Sequence, residues 1–296
     1  MKTLFAEIPI GVRFMLLSAL GFSLMAVCVK LASQRGIPVL EIVAARALVS
    51  LGLSLLSVHR RRVPLWGQRK DLLIARGVVG ALALVCVYYA LTALPLAEAT
   101  VLQYLHPMFT ALFAMIFLKE RLQLGTALCI ALSFLGLLCI ARPGFIFATM
   151  PGDLPHSAIF VALLGAFGSA VAYVLVRKLN ETEDPAVIIL YFPLIALPLS
   201  LALLGDDFVM PTGELWLILL LVGVFTQLGQ IGLTRAMQTE TASRATAFSY
   251  TQVLFAAMLG WYAFGEFPEF WTWVGGALIL LGALANIFFR PSGKGN

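Results

Sequence analysis

Charge is what this sequence has least of: 20 Lys and Arg and 15 Asp and Glu make up only 12% of 296 residues. A soluble protein of 32.1 kDa needs a far more ionic surface, so a soluble globular fold is excluded. Cysteine is nearly as scarce, and Cys28, Cys86, Cys129 and Cys139 all fall inside apolar runs. No loop disulfide framework is possible, and these thiols read as packed side chains. Three histidines, with no Cys/His ligand spacing and no pair of acids at helical spacing inside an apolar run, leave no motif for a metal, a cofactor or hydrolytic chemistry. The net charge of +5 and pI of 9.2 do not point to nucleic acid, because the basic residues are scattered at the ends of apolar runs.

What is abundant is apolar length: 61% of the residues are hydrophobic and the mean hydropathy is +0.97. A membrane span takes roughly 20 apolar residues, so ten would consume about 200 positions and leave little for a separate soluble domain. Ten runs are readable, namely 12–31, 41–58, 72–90, 97–118, 124–141, 157–176, 186–204, 214–233, 241–264 and 270–289. The first reads as a span and not as a cleaved signal peptide, because no small-residue cleavage site follows it. With the N-terminus inside, Lys and Arg collect on the cytoplasmic side (Arg60, Arg61, Arg62, Arg69, Lys70, Lys119, Arg121, Arg177, Lys178, Arg235 and Arg244 among them), and only Arg35 and Arg142 fall clearly in outer loops. The expected protein is an all-α, ten-helix, multi-pass protein of a bacterial inner membrane, with both termini cytoplasmic.

Sliding the chain over itself by 146 residues superposes residues 90–120 on 236–266 without a gap, matching Ala99/Ala245, Thr100/Thr246, Tyr104/Tyr250, Phe109/Phe255 and Glu120/Glu266. Gly77/Gly223 and Gly136/Gly282 follow at the same offset, and Gly21/Gly168 and Pro38/Pro185 at 147. This predicts two units, 11–143 and 157–290, of five spans each. Five is odd, so the second unit must enter the membrane upside down. Inverted repeats that rock about a midplane cavity are a transporter architecture.

Arg46 in the second span, Ala90-Leu91 followed by Ala99-Thr100, a fourth span centred on Pro107 and closed by Glu120, and a fifth span containing Gly136 resemble the EamA-type repeat of the drug/metabolite transporter superfamily. The second copy carries Ala236, Ala245-Thr246, Glu266, Gly275, Gly276 and Gly282. The resemblance runs from about Arg13 to Phe289 and, within the superfamily, is greatest to the YddG-type aromatic amino-acid exporters. It implies a ten-helix exporter. One departure is that Val253 replaces Pro107 in the second copy, so a proline kink is not expected in both halves.

Polar groups buried in hydrocarbon need partners or a wet cavity. The candidate substrate-binding set is therefore Arg46, Tyr88, Tyr89, Gln103, Tyr104, His106, Tyr173, Gln227, Gln230, Tyr250 and Gln252, each of which could instead be interhelical hydrogen-bond glue. Arg46 lies one helical turn and a residue from Glu41, either as a paired anchor at the outer end or as a receptor for a carboxylate. Arg76 reads as a snorkelling residue near the cytoplasmic end. The glycines of the fifth and tenth spans read as close helix contacts, leaving the other eight spans around the cavity.

Arg46 standing almost alone argues against phosphorylated or anionic cargo, and the lack of a mid-span acid argues against drug cations. The expected cargo is aromatic or other neutral amino acids and similar small amphipathic metabolites, exported without obligatory proton coupling by a monomer or homodimer that needs no cofactor. A proton-coupled multidrug or metabolite antiporter using His106 and a membrane-embedded lipid-modifying enzyme are the alternatives.

Overall fold

The structure, a computed structural model, describes residues 9–94, 96–143, 155–265 and 267–289. Lys2, Glu266, Arg290 and Lys294 lie outside the described residues. In hydrocarbon each backbone N–H and C=O must be satisfied within its own segment, and the described residues accordingly form helices and no strand. They are α1 (Ile10–Gln34), α2 (Val39–Arg61), α3 (Lys70–Ala93), α4 (Leu96–Gln103), α5 (His106–Phe117), α6 (Leu124–Ala141), α7 (His156–Leu179), α8 (Pro185–Leu204), α9 (Glu214–Thr239), α10 (Ala242–Ala247), α11 (Thr251–Phe264) and α12 (Phe270–Phe288).

Local signals set the boundaries. Pro9, Pro38 and Pro155 immediately precede α1, α2 and α7, where a missing N–H costs nothing. The Asp184 carboxylate caps α8 by accepting from the Ala186 amide at 2.8 Å. Left-handed residues end three helices: Arg62 after α2, Arg142 after α6 and Gly265 after α11. Nine spans in the described residues are long and apolar enough to cross a membrane, and outward-facing side chains such as Phe117 (69% exposed) and Phe288 (78%) present the apolar surface that lipid requires.

The fourth and ninth expected spans are each broken. The fourth divides into α4 and α5 at Tyr104-Leu105, just before Pro107. The ninth divides into α10 and the 14-residue α11 around a 3₁₀ turn at Phe248–Tyr250. The proline kink is thus confined to the first half, as Val253 implied, yet the second half breaks without one. In the second half hydroxyls replace proline: Thr246 Oγ1 donates to the Ala242 carbonyl at 2.8 Å, Ser249 Oγ to that of Thr246 at 2.7 Å and Thr251 Oγ1 to that of Phe248 at 2.7 Å. These bonds compete with the helical ladder for the same carbonyls and tighten the chain locally.

The main helix contacts are α1 with α9, α3 with α7, α2 with α8 and α6 with α12. Apolar side chains gain little from leaving lipid for one another, so small residues that admit close backbone approach carry this packing. A Cβ on Gly21 would lie 2.8 Å from the Gly229 amide nitrogen, and one on Gly232 would lie 2.6 Å from the Phe14 carbonyl, which fixes α1 on α9. Gly136 and Gly275 each face the other's carbonyl oxygen across α6 and α12. Ser18 Oγ adds a bond to the Gly229 carbonyl at 2.8 Å.

Overpacking such a contact costs about 1–3 kcal/mol. Gly136→Leu is therefore expected to lower the melting temperature in detergent by several degrees, whereas Gly52→Ala, with nothing within 4 Å of its Cβ position, should leave it unchanged. A thermal melt followed by tryptophan fluorescence checks both.

Candidate functional site

Where the two broken helices leave the regular ladder they face a cavity of about 180 Å³ inside the bundle. Its lining comes from eight of the ten expected spans. Residues of α6 and α12 are absent from it among those described, as those two helices pack against each other. One wall is aromatic: the Tyr104 and His106 rings are 5.9 Å apart, and Tyr173 meets His106 edge-on at 5.2 Å. Behind it, Tyr250 stacks on Tyr104 at 5.6 Å and donates its hydroxyl to the Tyr104 carbonyl at 2.8 Å. That carbonyl belongs to the break between α4 and α5, so the phenol from one half satisfies the irregular backbone of the other.

The lining also carries two guanidinium groups. Arg46 from α2 and Arg76 from α3 approach the same Phe192 ring of α8, at 5.8 and 4.9 Å from its centroid. Both are buried, at 6% and 3% exposure. Among the described residues Arg46 Nη1 reaches the Met25 sulfur at 3.8 Å and the Tyr88 hydroxyl at 3.5 Å, and Arg76 Nη2 the Gln230 carbonyl oxygen at 3.5 Å. Arg76 Nε and Nη1 and His106 Nδ1 have no hydrogen-bond partner among the described residues.

Of the sequence-predicted site residues, Arg46, Gln103, Tyr104, His106, Tyr173, Gln230 and Gln252 line this cavity together. Four do not. Tyr250 is fully buried behind Tyr104, and Tyr88 stands beside Arg46, outside the lining. Gln227 joins α9 to α2, accepting from Ser50 at 2.5 Å and donating to Ser54 at 3.0 Å, so it is interhelical glue. Tyr89 is 47% exposed on the outer surface, because the helical period turns it away from the face that carries Val87.

Two further expectations are corrected. Arg46 does not pair with Glu41, whose Oε2 instead accepts the Val209 amide at 2.9 Å, so Arg46 is left facing the cavity. Arg76 does not snorkel to an interface. The face bearing Arg76, Gly80, Ala83 and Val87 turns inward, and the missing side chain at Gly80 makes room for the guanidinium. That i, i+4, i+7, i+11 stripe of small residues was the signal that could have found it. Phe22, Met15, Met25 and Phe192 carried no comparable signal, since apolar residues in an apolar span look alike.

Many lining positions fall at the repeat offset: Arg46 with Phe192, Gln103 with Ser249, His106 with Gln252 and Val87 with Leu233. The EamA-like transporter profile matches residues 9–142 and again residues 156–288. The chain belongs to the EamA-like transporter family. This EamA-like chain is 35% identical, over 93% of its length, to the pseudopaline exporter CntI of Pseudomonas aeruginosa and covers 95% of it. It is 31% identical to human solute carrier family 35 member G1, over 95% of this chain and 79% of that one. The riboflavin transporter of Vibrio cholerae is 27% identical over 63% of this chain and 61% of its own. A crystal structure at 20% identity matches the fold over 91% of this chain and 95% of that one, with a TM-score of 0.77. This EamA-like protein is thus a multi-pass membrane transporter and not an enzyme.

The geometry separates packing from lining experimentally. Gln227→Leu strands two buried serines at a cost of about 1–2 kcal/mol. It should lower the melting temperature while leaving cargo affinity, measured by calorimetry in detergent, within twofold of wild type.

Proposed function

We propose that this chain is a secondary transporter that exports small amphipathic, carboxylate-bearing metabolites from the bacterial cytoplasm by alternating access about the central cavity. The observation that carries the reading is a buried cavity whose polar groups are incompletely partnered among the described residues, Arg76 Nε and Nη1 above all. Desolvating a guanidinium costs several kcal/mol, and a bound carboxylate is the usual compensation.

The two units are inverted in this reading. Exchanging the halves turns the α1–α9 contact into the α7–α3 contact and returns α2–α8 and α6–α12 to themselves, and the helix breaks at 104–105 and 248–250 lie at the repeat offset. A rocking motion between such halves would open the cavity to each side in turn. Glu120, at the end of the fourth span, supports a closed state at one end. It accepts from Arg177 Nε at 3.4 Å and from the Ala242 and Ser243 amides at 3.0 and 3.4 Å, tying α5 to the start of α10 across the halves.

The aromatic wall supports a cargo with a ring or a flat apolar face. Aromatic or other neutral amino acids answer that description and supply one carboxylate. Relatives named for pseudopaline and for riboflavin show that family membership alone does not fix the cargo. No Asp or Glu lines the cavity among the described residues, which supports flux without a proton competing for a cargo-binding acid.

Proteoliposomes test this reading. Labelled phenylalanine, tryptophan, phenylpropionate or phenylsuccinate should exchange faster than in protein-free vesicles, with the same rate under an imposed pH gradient. Gly80→Leu, which fills the space between Arg76 and Phe192, should abolish exchange while the protein remains monodisperse. Protein-free rates for all four compounds would overturn the reading.

Loosening the closed end is a separate expectation. Glu120→Gln should raise the rate at which a maleimide labels Ser243→Cys by roughly fivefold, a gate shift of about 1 kcal/mol.

A further inference from the structure

Cargo export through the cavity, as read above, raises the question of how many charges the cargo carries. Among the described residues Arg46 and Arg76 are the only ionic side chains in the lining, with no Asp, Glu or Lys beside them. The buried acids of the described residues are committed elsewhere. Glu41 accepts the Val209 amide, Glu183 accepts the Gln68 and Arg69 amides, and Glu240 pairs with Arg244 at 3.5 Å. Both guanidiniums approach Phe192, and a ring face returns only a fraction of the hydration that a buried cation loses.

The resting cavity is therefore doubly cationic. A zwitterionic amino acid would answer one arginine with its carboxylate, yet bring an ammonium group into a site with two cations and no acid. A single anion leaves one guanidinium uncompensated. We propose that the physiological cargo of this cavity bears at least two anionic carboxylates, one for each of Arg46 and Arg76, joined by an apolar or aromatic body that lies along Tyr104, His106 and Tyr173. Both cations come from the first half of the chain, from α2 and α3, and their counterparts at the repeat offset are Phe192 and Val222. The first half thus supplies both charges and, through Tyr104 and His106, most of the aromatic wall, while Tyr173 comes from the second. This proposal departs from the expectation of a neutral amino acid. Charges are few within the spans, and the two guanidiniums without a facing acid sit where cargo would bind.

Three probes sharing a phenyl ring test the idea: phenylsuccinate with two carboxylates, phenylpropionate with one, and zwitterionic phenylalanine. Titration calorimetry in detergent should show phenylsuccinate binding about tenfold more tightly than phenylpropionate, with phenylalanine weakest, in line with the strength of charge-assisted pairs. Arg46→Gln and Arg76→Gln should each reduce the dianion preference to about twofold or less. Arg46→Lys and Arg76→Lys, which keep the charge but lose the fork, should retain part of it. Melting curves establish that each variant is folded, and a variant that fails to fold is replaced by its lysine counterpart in the comparison. Equal affinity for all three probes, or a dianion preference that survives both glutamine substitutions, overturns the proposal. Failure of the dianion preference while phenylalanine still exchanges across vesicles removes this inference and leaves the transport reading standing. Tight dianion binding without flux of any probe removes the transport reading instead.

Discussion

A backbone amide in hydrocarbon has no water to bond, and every other feature of this protein is arranged around that constraint. It forces the chain into helices and makes each departure from the ladder costly. The departures at 104–105 and at 248–250 are found where a cavity, a hydroxyl or a phenol can receive the released groups. The Tyr250 hydroxyl on the Tyr104 carbonyl is the compact form of this solution: one half of the chain completes the backbone of the other at the cavity wall. A transport site and a pair of broken helices are then the same feature.

The second consequence is how the helices hold together. Apolar side chains gain little from leaving lipid for one another, so packing rests on shape and on a few polar bonds. Gly21 against Gly229 and Gly136 against Gly275 bring backbones together, and Gln227 between Ser50 and Ser54 ties α2 to α9. These contacts leave α6 and α12 packed on each other and away from the cavity, so the remaining helices are free to carry cargo-facing side chains. Against that apolar background, two arginines without acids dominate the electrostatics of the interior.

Much of the architecture was readable because its signals are periodic or compositional. Apolar run length located the helices to within a few residues, and the offset of 146 picked out Tyr104 and Tyr250, which do meet. Polar residues in apolar runs identified seven lining side chains. The same rule included Gln227 and Tyr89, because a rule based on residue type does not know which face of a helix turns inward. It passed over Arg76 because the residue lies near a loop rich in cations, where snorkelling is the usual fate. Phe192 was invisible for the opposite reason, being one apolar residue among many.

The sequence by itself determined that the chain lives in lipid and that its halves are related, since these follow from transfer free energy and repetition along one dimension. Only the tertiary structure decided which polar groups face one another. Whether Arg46 answers Glu41 or opens onto a cavity depends on whether a loop amide, that of Val209, takes the carboxylate first. Such competition is settled by distances in space between residues far apart in the chain. The scarcity of charge therefore defined the solvent of this protein, while the placement of two charges points to the chemistry of its cargo.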